Sequence, residues 1–301
     1  MPTAAWPMTL QTPPQPLARR LRLGVFDSGV GGLSVLRDLR RELPHAEMLY
    51  LADSGHAPYG ERSDAYVAER SHRVAGWLAE QGIDALVIAC NTATAVAAEG
   101  LRLAHAALPI VGVEPGLKPA VALAAQRAGR NGVVGVMATT ATLRSAKFLR
   151  LLEAHAGDAR VHLQPCPGLA HAIETHDAGS PELLALVETH CAPLRDAGAD
   201  VVVLGCTHYP LVRDDIGRAL GEGVAIVDTA EAVARQAARR CAQLEEASAG
   251  GTAFERSAPS GAARLFTTGD AAQLRRVAAR WLPFAFEVEA AAPSVSCLAG
   301  G

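Results

Sequence analysis

Two cysteines follow two apolar runs of the same build. One run is Leu86-Val87-Ile88-Ala89-Cys90-Asn91-Thr92, the other Val201-Val202-Val203-Leu204-Gly205-Cys206-Thr207-His208. Each reads as an apolar stretch, one small residue, Cys, and a Thr one or two positions on. A free thiol titrates near ~8.5, so modest tuning gives thiol and thiolate together near neutral pH. Two such groups facing one small molecule would be an acid and a base on its opposite sides. A single strand cysteine is more often core packing. The doubling, with hydroxyl and amide residues after both, favours chemistry. A second polar stretch, Asp27-Ser28-Gly29-Val30-Gly31-Gly32, follows Leu23-Gly24-Val25-Phe26. Backbone N–H groups of a Gly-rich turn at a helix start suit an anion, a carboxylate included. The stretch has neither the Gly-Lys-Ser/Thr of a nucleotide loop nor dinucleotide spacing, and a tight strand-to-helix turn explains it equally well.

These residues need elements that bring them together. Apolar runs rich in β-branched residues read as buried strands of a parallel sheet, and the helix expected after each run puts the cysteine at the carboxyl end of its strand. Ligands of open α/β sheets bind at that end, and a helix N-terminus there stabilises a thiolate. Further strands are expected at Glu47–Ala52, Ile110–Val113, Gly132–Met137, Val161–Cys166, Val224–Val227, Leu265–Gly269 and Phe284–Val288. Leu33, Leu36, Leu39 and Leu43 mark one helix face. Val67, Ser71, Val74 and Leu78 mark another, with Ser63 as its cap. The loop Asp53-Ser54-Gly55-His56-Ala57-Pro58-Tyr59-Gly60 is placed to cover a site.

The pattern then begins again. Gly135-Val136-Met137-Ala138-Thr139 echoes Gly24-Val25-Phe26-Asp27-Ser28; Asp27 to Cys90 is 63 positions and Ala138 to Cys206 is 68. This spacing points to two related open α/β domains with mainly parallel sheets, each offering a cysteine to a shared cleft. The first is expected over 22–114 plus 228–289 and the second over 115–227, with Pro115-Gly116 as the crossing. Residues 1–21 and 290–301 are expected to be disordered, and 247–263 a mobile loop.

The bulk numbers fit that plan. The chain has 301 residues, 50% of them hydrophobic and 20% charged, and a net charge of −3, which favours neither nucleic acid nor an anionic membrane. Six cysteines without a C-x-x-C spacing suit a reduced, cytoplasmic setting. Only Lys118 and Lys147 are lysines. Neither lies at a cysteine strand-end, so a Schiff-base cofactor has no positioned partner. Cys206 and His208 lack a third metal ligand close in sequence.

The segments Asp27-Ser28-Gly29-Val30-Gly31-Gly32, Tyr59-Gly60, Cys90-Asn91-Thr92 and Cys206-Thr207-His208-Tyr209-Pro210, in this order, resemble glutamate racemases of the aspartate/glutamate racemase superfamily. The resemblance covers roughly residues 22 to 289. It implies a cofactor-independent, metal-free homodimer that interconverts L- and D-glutamate and supplies D-glutamate for peptidoglycan, with the site between two pseudosymmetric domains. Carried over residue by residue, it makes Cys90 and Cys206 the acid/base thiols and Asp27, His208 and Glu174 their polar partners. Ser28, Tyr59, Gly60, Asn91, Thr92, Thr139 and Thr207 become substrate ligands, together with Asp27 and His208. Ala138 stands where many members have Gly, and His171 and Ala172 depart from the familiar pattern before Glu174.

The chemistry asks for these types. Racemisation breaks Cα–H and returns a proton to the other face, which two opposed groups can do without turning the substrate over. Hydroxyl and backbone N–H donors on the α-carboxylate stabilise the developing carbanion. The same chemistry on aspartate, a one-cysteine decarboxylase or isomerase of the superfamily, and a non-catalytic carboxylate-binding protein are the competing readings. The last needs neither thiol.

Overall fold

The computed structural model describes residues 19–128, 132–248, 254–255 and 261–296. Two parallel sheets carry the fold. The first is built from β1 (Arg22–Asp27), β2 (Glu47–Ala52), β3 (Ala85–Ile88), β4 (Ile110–Gly112), β9 (Ala263–Thr267) and β10 (Phe286–Ala290), in the order β10-β9-β2-β1-β3-β4. The second holds β5 (Val133–Ala138), β6 (Arg160–Pro165), β7 (Val201–Leu204) and β8 (Ala225–Val227), in the order β6-β5-β7-β8. Four consecutive strands at one end of the first sheet, β2-β1-β3-β4, therefore have the same order as the whole second sheet. The repeat expected from the sequence is a repeat of topology, with each cysteine after the third strand of its set.

Helices cover both faces of each sheet because strand residues alternate in direction. In β1 and β3, Val25 and Val87 point into a core with α1 (Leu33–Glu42) and α10 (Ala230–Ser248). Phe26, Leu86 and Ile88 point the other way, against α2 (Asp64–Glu80) and α3 (Asn91–Ala104). In the second sheet, Val134, Val136, Val201 and Val203 pack on α4 (Leu117–Ala128) and Phe148 of α6 (Ala146–His155). Met137, Val202 and Leu204 face α7 (Leu169–Thr175), α8 (Pro181–Asp196) and α9 (Arg213–Leu220). The chain crosses from one sheet to the other between Gly112 and Leu117 and returns between Val227 and Ala230.

The expected helix faces are buried: Leu33, Leu36, Leu39 and Leu43 on α1, and Val67, Ser71, Val74 and Leu78 on α2. Ser63 caps α2 by accepting from Tyr66 N–H. The expected disordered ends need correction. Leu21 is buried and its carbonyl accepts from Glu47 N–H, so order begins before residue 22. At the other end Ala290 closes β10, Ala291 N–H bonds the Thr267 carbonyl, and α12 (Pro293–Ser296) buries Val295 completely. Ala/Gly-rich composition concealed one apolar anchor there. Of the 247–263 segment, Ala247 and Ser248 finish α10, Phe254 bridges Arg19, and Ala263 starts β9. Residues 1–18, 129–131, 249–253, 256–260 and 297–301 lie outside the described residues. Among the described residues, no helix is long and apolar enough to cross a membrane.

Candidate active site

The first cysteine is held by a helix start. Cys90 is the N-cap residue of α3, and its Sγ accepts from Ala93 N–H at 3.4 Å. Ser28, just past β1, puts its Oγ 3.5 Å from that sulfur and 3.4 Å from Asp27 Oδ1. Asp27 Oδ2 accepts from Gly32 N–H at 2.8 Å. A side chain at Gly32 would meet Asp27 Cβ at 2.8 Å, so the turn can wrap the carboxyl only with glycine there. Burial raises the Asp27 carboxyl above its ordinary range, against the pull of the His208 charge and the Gly32 N–H. Burial, and then the neighbouring Asp27 charge, push the Cys90 thiol well above its ordinary value. Cys90 therefore rests protonated at neutral pH.

The second cysteine is held differently. A helix was expected to begin directly after Cys206. Instead, a 3-10 turn spans Tyr209–Val212 and α9 starts only at Arg213. Pro210 stands at the first positions of that turn, where it has no N–H to give. His208 takes the place of the helix end: its Nδ1 lies 3.6 Å from Cys206 Sγ and its Nε2 2.7 Å from Glu174 Oε1. Burial alone would lower the imidazole, but its hydrogen bonds and charge interactions with Cys206 and Glu174 win and raise it well above 6.5. Burial opposes ionisation of Glu174 too, yet the His208 contact holds that carboxyl below its ordinary value. The pair is buried, cationic on one side and anionic on the other.

The halves meet at these groups. Glu174, on α7 of the second half, also accepts from Val30 N–H of the first at 3.0 Å. Ser34 Oγ on α1 shares its one proton between the Gly31 carbonyl at 2.8 Å and the Thr207 carbonyl of the second half at 3.1 Å. Close approach depends on glycines: a Cβ on Gly31 would stand 2.4 Å from His208 Nδ1, and one on Gly60 would stand 2.8 Å from Thr139 Cβ. Thr92 Oγ1 lies 3.0 Å from Thr139 Oγ1 and 3.3 Å from Thr142 Oγ1, a hydroxyl cluster shared by both halves. Cys90 and Cys206 are 5% and 7% exposed, so the cleft is closed around them.

The structure thus brings together Asp27, Ser28, Cys90, Thr92, Thr139, Glu174, Cys206, Thr207 and His208. Asn91 opens α3 beside Cys90, and its Nδ2 is buried with no hydrogen-bond partner among the described residues. The Tyr59 hydroxyl donates to buried Asp53 at 2.6 Å, and the Gly60 backbone stands close to Thr139 of the second half. Sequence reasoning missed Thr142, Ser34, Asp53 and Arg70 as parts of the site and its support. The signal for Arg70 was present, since a charged residue lies on the Val67, Ser71, Val74, Leu78 stripe and needs a buried partner. Among the described residues no group of three or more His, Cys, Asp or Glu is arranged to hold a metal.

Two topologically equivalent half-sites, each ending in a thiol with its own polar partner, define an α/β protein that handles one small molecule from two faces. The comparisons make that class specific. The Asp/Glu/Hydantoin racemase family matches residues 30–237. The chain is 47% identical over 259 residues to a glutamate racemase of Pseudomonas putida, covering 86% of this chain and 93% of that one. It is 54% identical over 220 residues to a glutamate racemase of Ralstonia pickettii, covering 73% and 76%. The crystal structure of Escherichia coli glutamate racemase, in complex with L-glutamate and the activator UDP-MurNAc-Ala, superposes with a TM-score of 0.74 at 33% identity, covering 90% of this chain and 97% of that one. The chain belongs to the Asp/Glu/hydantoin racemase family and, within it, to the glutamate racemases.

Proposed function

We propose that the cleft interconverts L- and D-glutamate by direct proton transfer at Cα between Cys90 and Cys206, supplying D-glutamate for peptidoglycan. The observation that carries this reading is the pairing of one thiol with Asp27 and Ser28 and the other with His208 and Glu174 across one closed interface. Following the family resemblance, Cys206 takes the proton from L-glutamate and Cys90 delivers one to the opposite face; from D-glutamate the roles exchange. Cys90, resting as a thiol, is the donor in the first direction. The cationic His208 is the counter-charge and proton source for Cys206, and Glu174 keeps it protonated. Asp27 reaches Cys90 through the Ser28 hydroxyl, a path for the proton in the other direction. Thr92, Thr139, Thr207, Asn91 and the Tyr59-Gly60 backbone hold the two carboxylates and the ammonium of the substrate. Hydrogen bonds to the α-carboxylate stabilise the carbanion without adding a competing base.

The reading includes work without cofactor or metal, and a homodimer acting in the cytoplasm, both supported by the resemblance; light scattering of the purified protein tests the dimer. Circular dichroism of L-glutamate incubated with chelator-dialysed protein tests the activity. The signal is expected to decay to zero as the racemate forms. An unchanged signal, or decay only with L-aspartate, contradicts the reading.

A further inference from the structure

Behind the Tyr59-Gly60 backbone lies a buried polar node that the proton chemistry does not use. Asp53 follows β2, and its own N–H donates to the Asp27 carbonyl at 2.9 Å. Its fully buried carboxylate receives five contacts. Oδ1 is met by His56 Nδ1 at 3.1 Å, Arg70 Nη2 at 2.8 Å and Thr268 Oγ1 at 2.8 Å; Oδ2 is met by Tyr59 Oη at 2.6 Å and Arg70 Nε at 3.0 Å. Three of these donors, on His56, Tyr59 and Thr268, belong to the covering loop or to the strand end beneath it; Thr268 in turn accepts from Gly55 N–H. The carboxylate therefore fixes the loop from both of its ends.

Arg70 holds that carboxylate in place. It is completely buried on α2, and its fork grips both Asp53 oxygens. Its remaining neighbour is not part of the loop. Arg70 Nη2 donates to the Val295 carbonyl of α12 at 2.7 Å. The Val295 side chain is fully buried in the cluster that contains Tyr59, Val67 and Val74. The last described residues of the chain thus cover the guanidinium and give Nη2 a second acceptor beside Asp53, while Nη1 is buried with no hydrogen-bond partner among the described residues. A buried charge deprived of an acceptor is costly, so the ion pair and the tail support each other.

We propose that Arg70 and the C-terminal residues 291–296 are positioning elements for substrate binding, fixing the Ser54–Gly60 segment through Asp53. The proposal rests on the reading that the Tyr59-Gly60 backbone meets the substrate. None of these residues touches the reacting atoms, so their removal shows first in KM. Arg70→Lys keeps the charge but loses the fork and the tail contact. Val295→Asp puts a charge in the apolar cluster and displaces α12 from the full-length chain.

Hydrogen exchange without glutamate, combined with kinetics in both directions, tests this. Both variants are expected to speed exchange of the 55–60 amides and to raise KM about tenfold, the equivalent of one good charged hydrogen bond, with kcat changed less than about threefold. Normal KM in a protein that merely melts lower, or unchanged exchange over 55–60 in Arg70→Lys, overturns the proposal. A separate arm distinguishes the underlying reading: glutamate added to the unaltered protein is expected to slow exchange at Tyr59-Gly60. Failure of that arm alone removes the substrate placement, while faster exchange in the variants would still report the fixing of the loop.

Discussion

Cys90 and Cys206 occupy equivalent places in two sheets of the same strand order, yet their surroundings have little in common. Cys90 caps the start of a 14-residue helix, its sulfur met by the Ala93 N–H and by Ser28, with a buried carboxyl next door. Cys206 has no helix at its own position and is paired with an imidazole locked to Glu174. One thiol is surrounded by potential negative charge and rests protonated. The other faces a cation. A repeated fold has thus been given two unlike ends: each half brings a thiol to the interface, and one thiol has a carboxyl and a hydroxyl for neighbours while the other has an imidazole.

The largest effects should come from the sulfurs themselves. Cys90→Ser and Cys206→Ser are each expected to lower turnover by about 10³ in both directions, as loss of a positioned acid or base does. A variant that keeps near-normal rates in one direction breaks the comparison at its root.

Next come the partners, where the halves should separate. Asp27→Asn is expected to slow reaction from D-glutamate on the order of 10² and reaction from L-glutamate less, because Asp27 serves Cys90. Progress curves from each pure enantiomer at limiting substrate read the difference in initial rate. Equal losses in both directions would show that Asp27 is shared between the thiols.

Glu174→Gln should then sharpen the picture through pH. In the fold Glu174 is lowered, so its stabilising share is complete above the ordinary carboxylate range and is lost as pH falls through the lowered value. His208 is raised, so its share is complete below its ordinary 6.5 and is lost as pH rises through the raised value. Without the carboxylate, the alkaline limit of kcat/KM from L-glutamate should move down by roughly one unit or more, the usual effect of removing an adjacent opposite charge. Thermal melts across pH should show the unaltered protein more stable than this variant between those limits, with the difference shrinking outside them. An unmoved alkaline limb would free His208 from the role given to it.

The smallest effect is expected from Ser34→Ala. It removes the one hydrogen bond that the hydroxyl shares between the Gly31 and Thr207 carbonyls, about 1 kcal/mol, and should lower the melting temperature by a few degrees with kcat nearly intact.

What was legible in the sequence followed period and spacing. Buried strands rich in β-branched residues announced themselves, as did the α1 and α2 stripes, the Ser63 cap and the 63- and 68-residue echoes that proved to be one strand order used twice. The cysteine ends were legible because two reactive side chains at matching strand ends have few structural reasons to be there, while Asp27 and His208 were named through the resemblance. What was not legible depended on folding. The helix expected after Cys206 is displaced by a turn that Pro210 favours, and only the tertiary fold shows His208 standing in its place. The bond from the Tyr59 hydroxyl to Asp53, and the Arg70 fork behind it, depend on a strand end and a helix that only the tertiary fold brings together. The short helix at Pro293–Ser296 escaped notice because one buried Val295 leaves no period.

The central claim is that two different groups serve the two faces of Cα. The most direct measurement is the early appearance of deuterium at Cα when L-glutamate reacts in heavy water. The account predicts that D-glutamate carries deuterium from its first appearance, since its proton comes from a second, solvent-equilibrated thiol, while the remaining L-glutamate stays protonated at Cα. Early D-glutamate retaining the hydrogen of the starting substrate would mean one base acting on both faces, and would contradict the account.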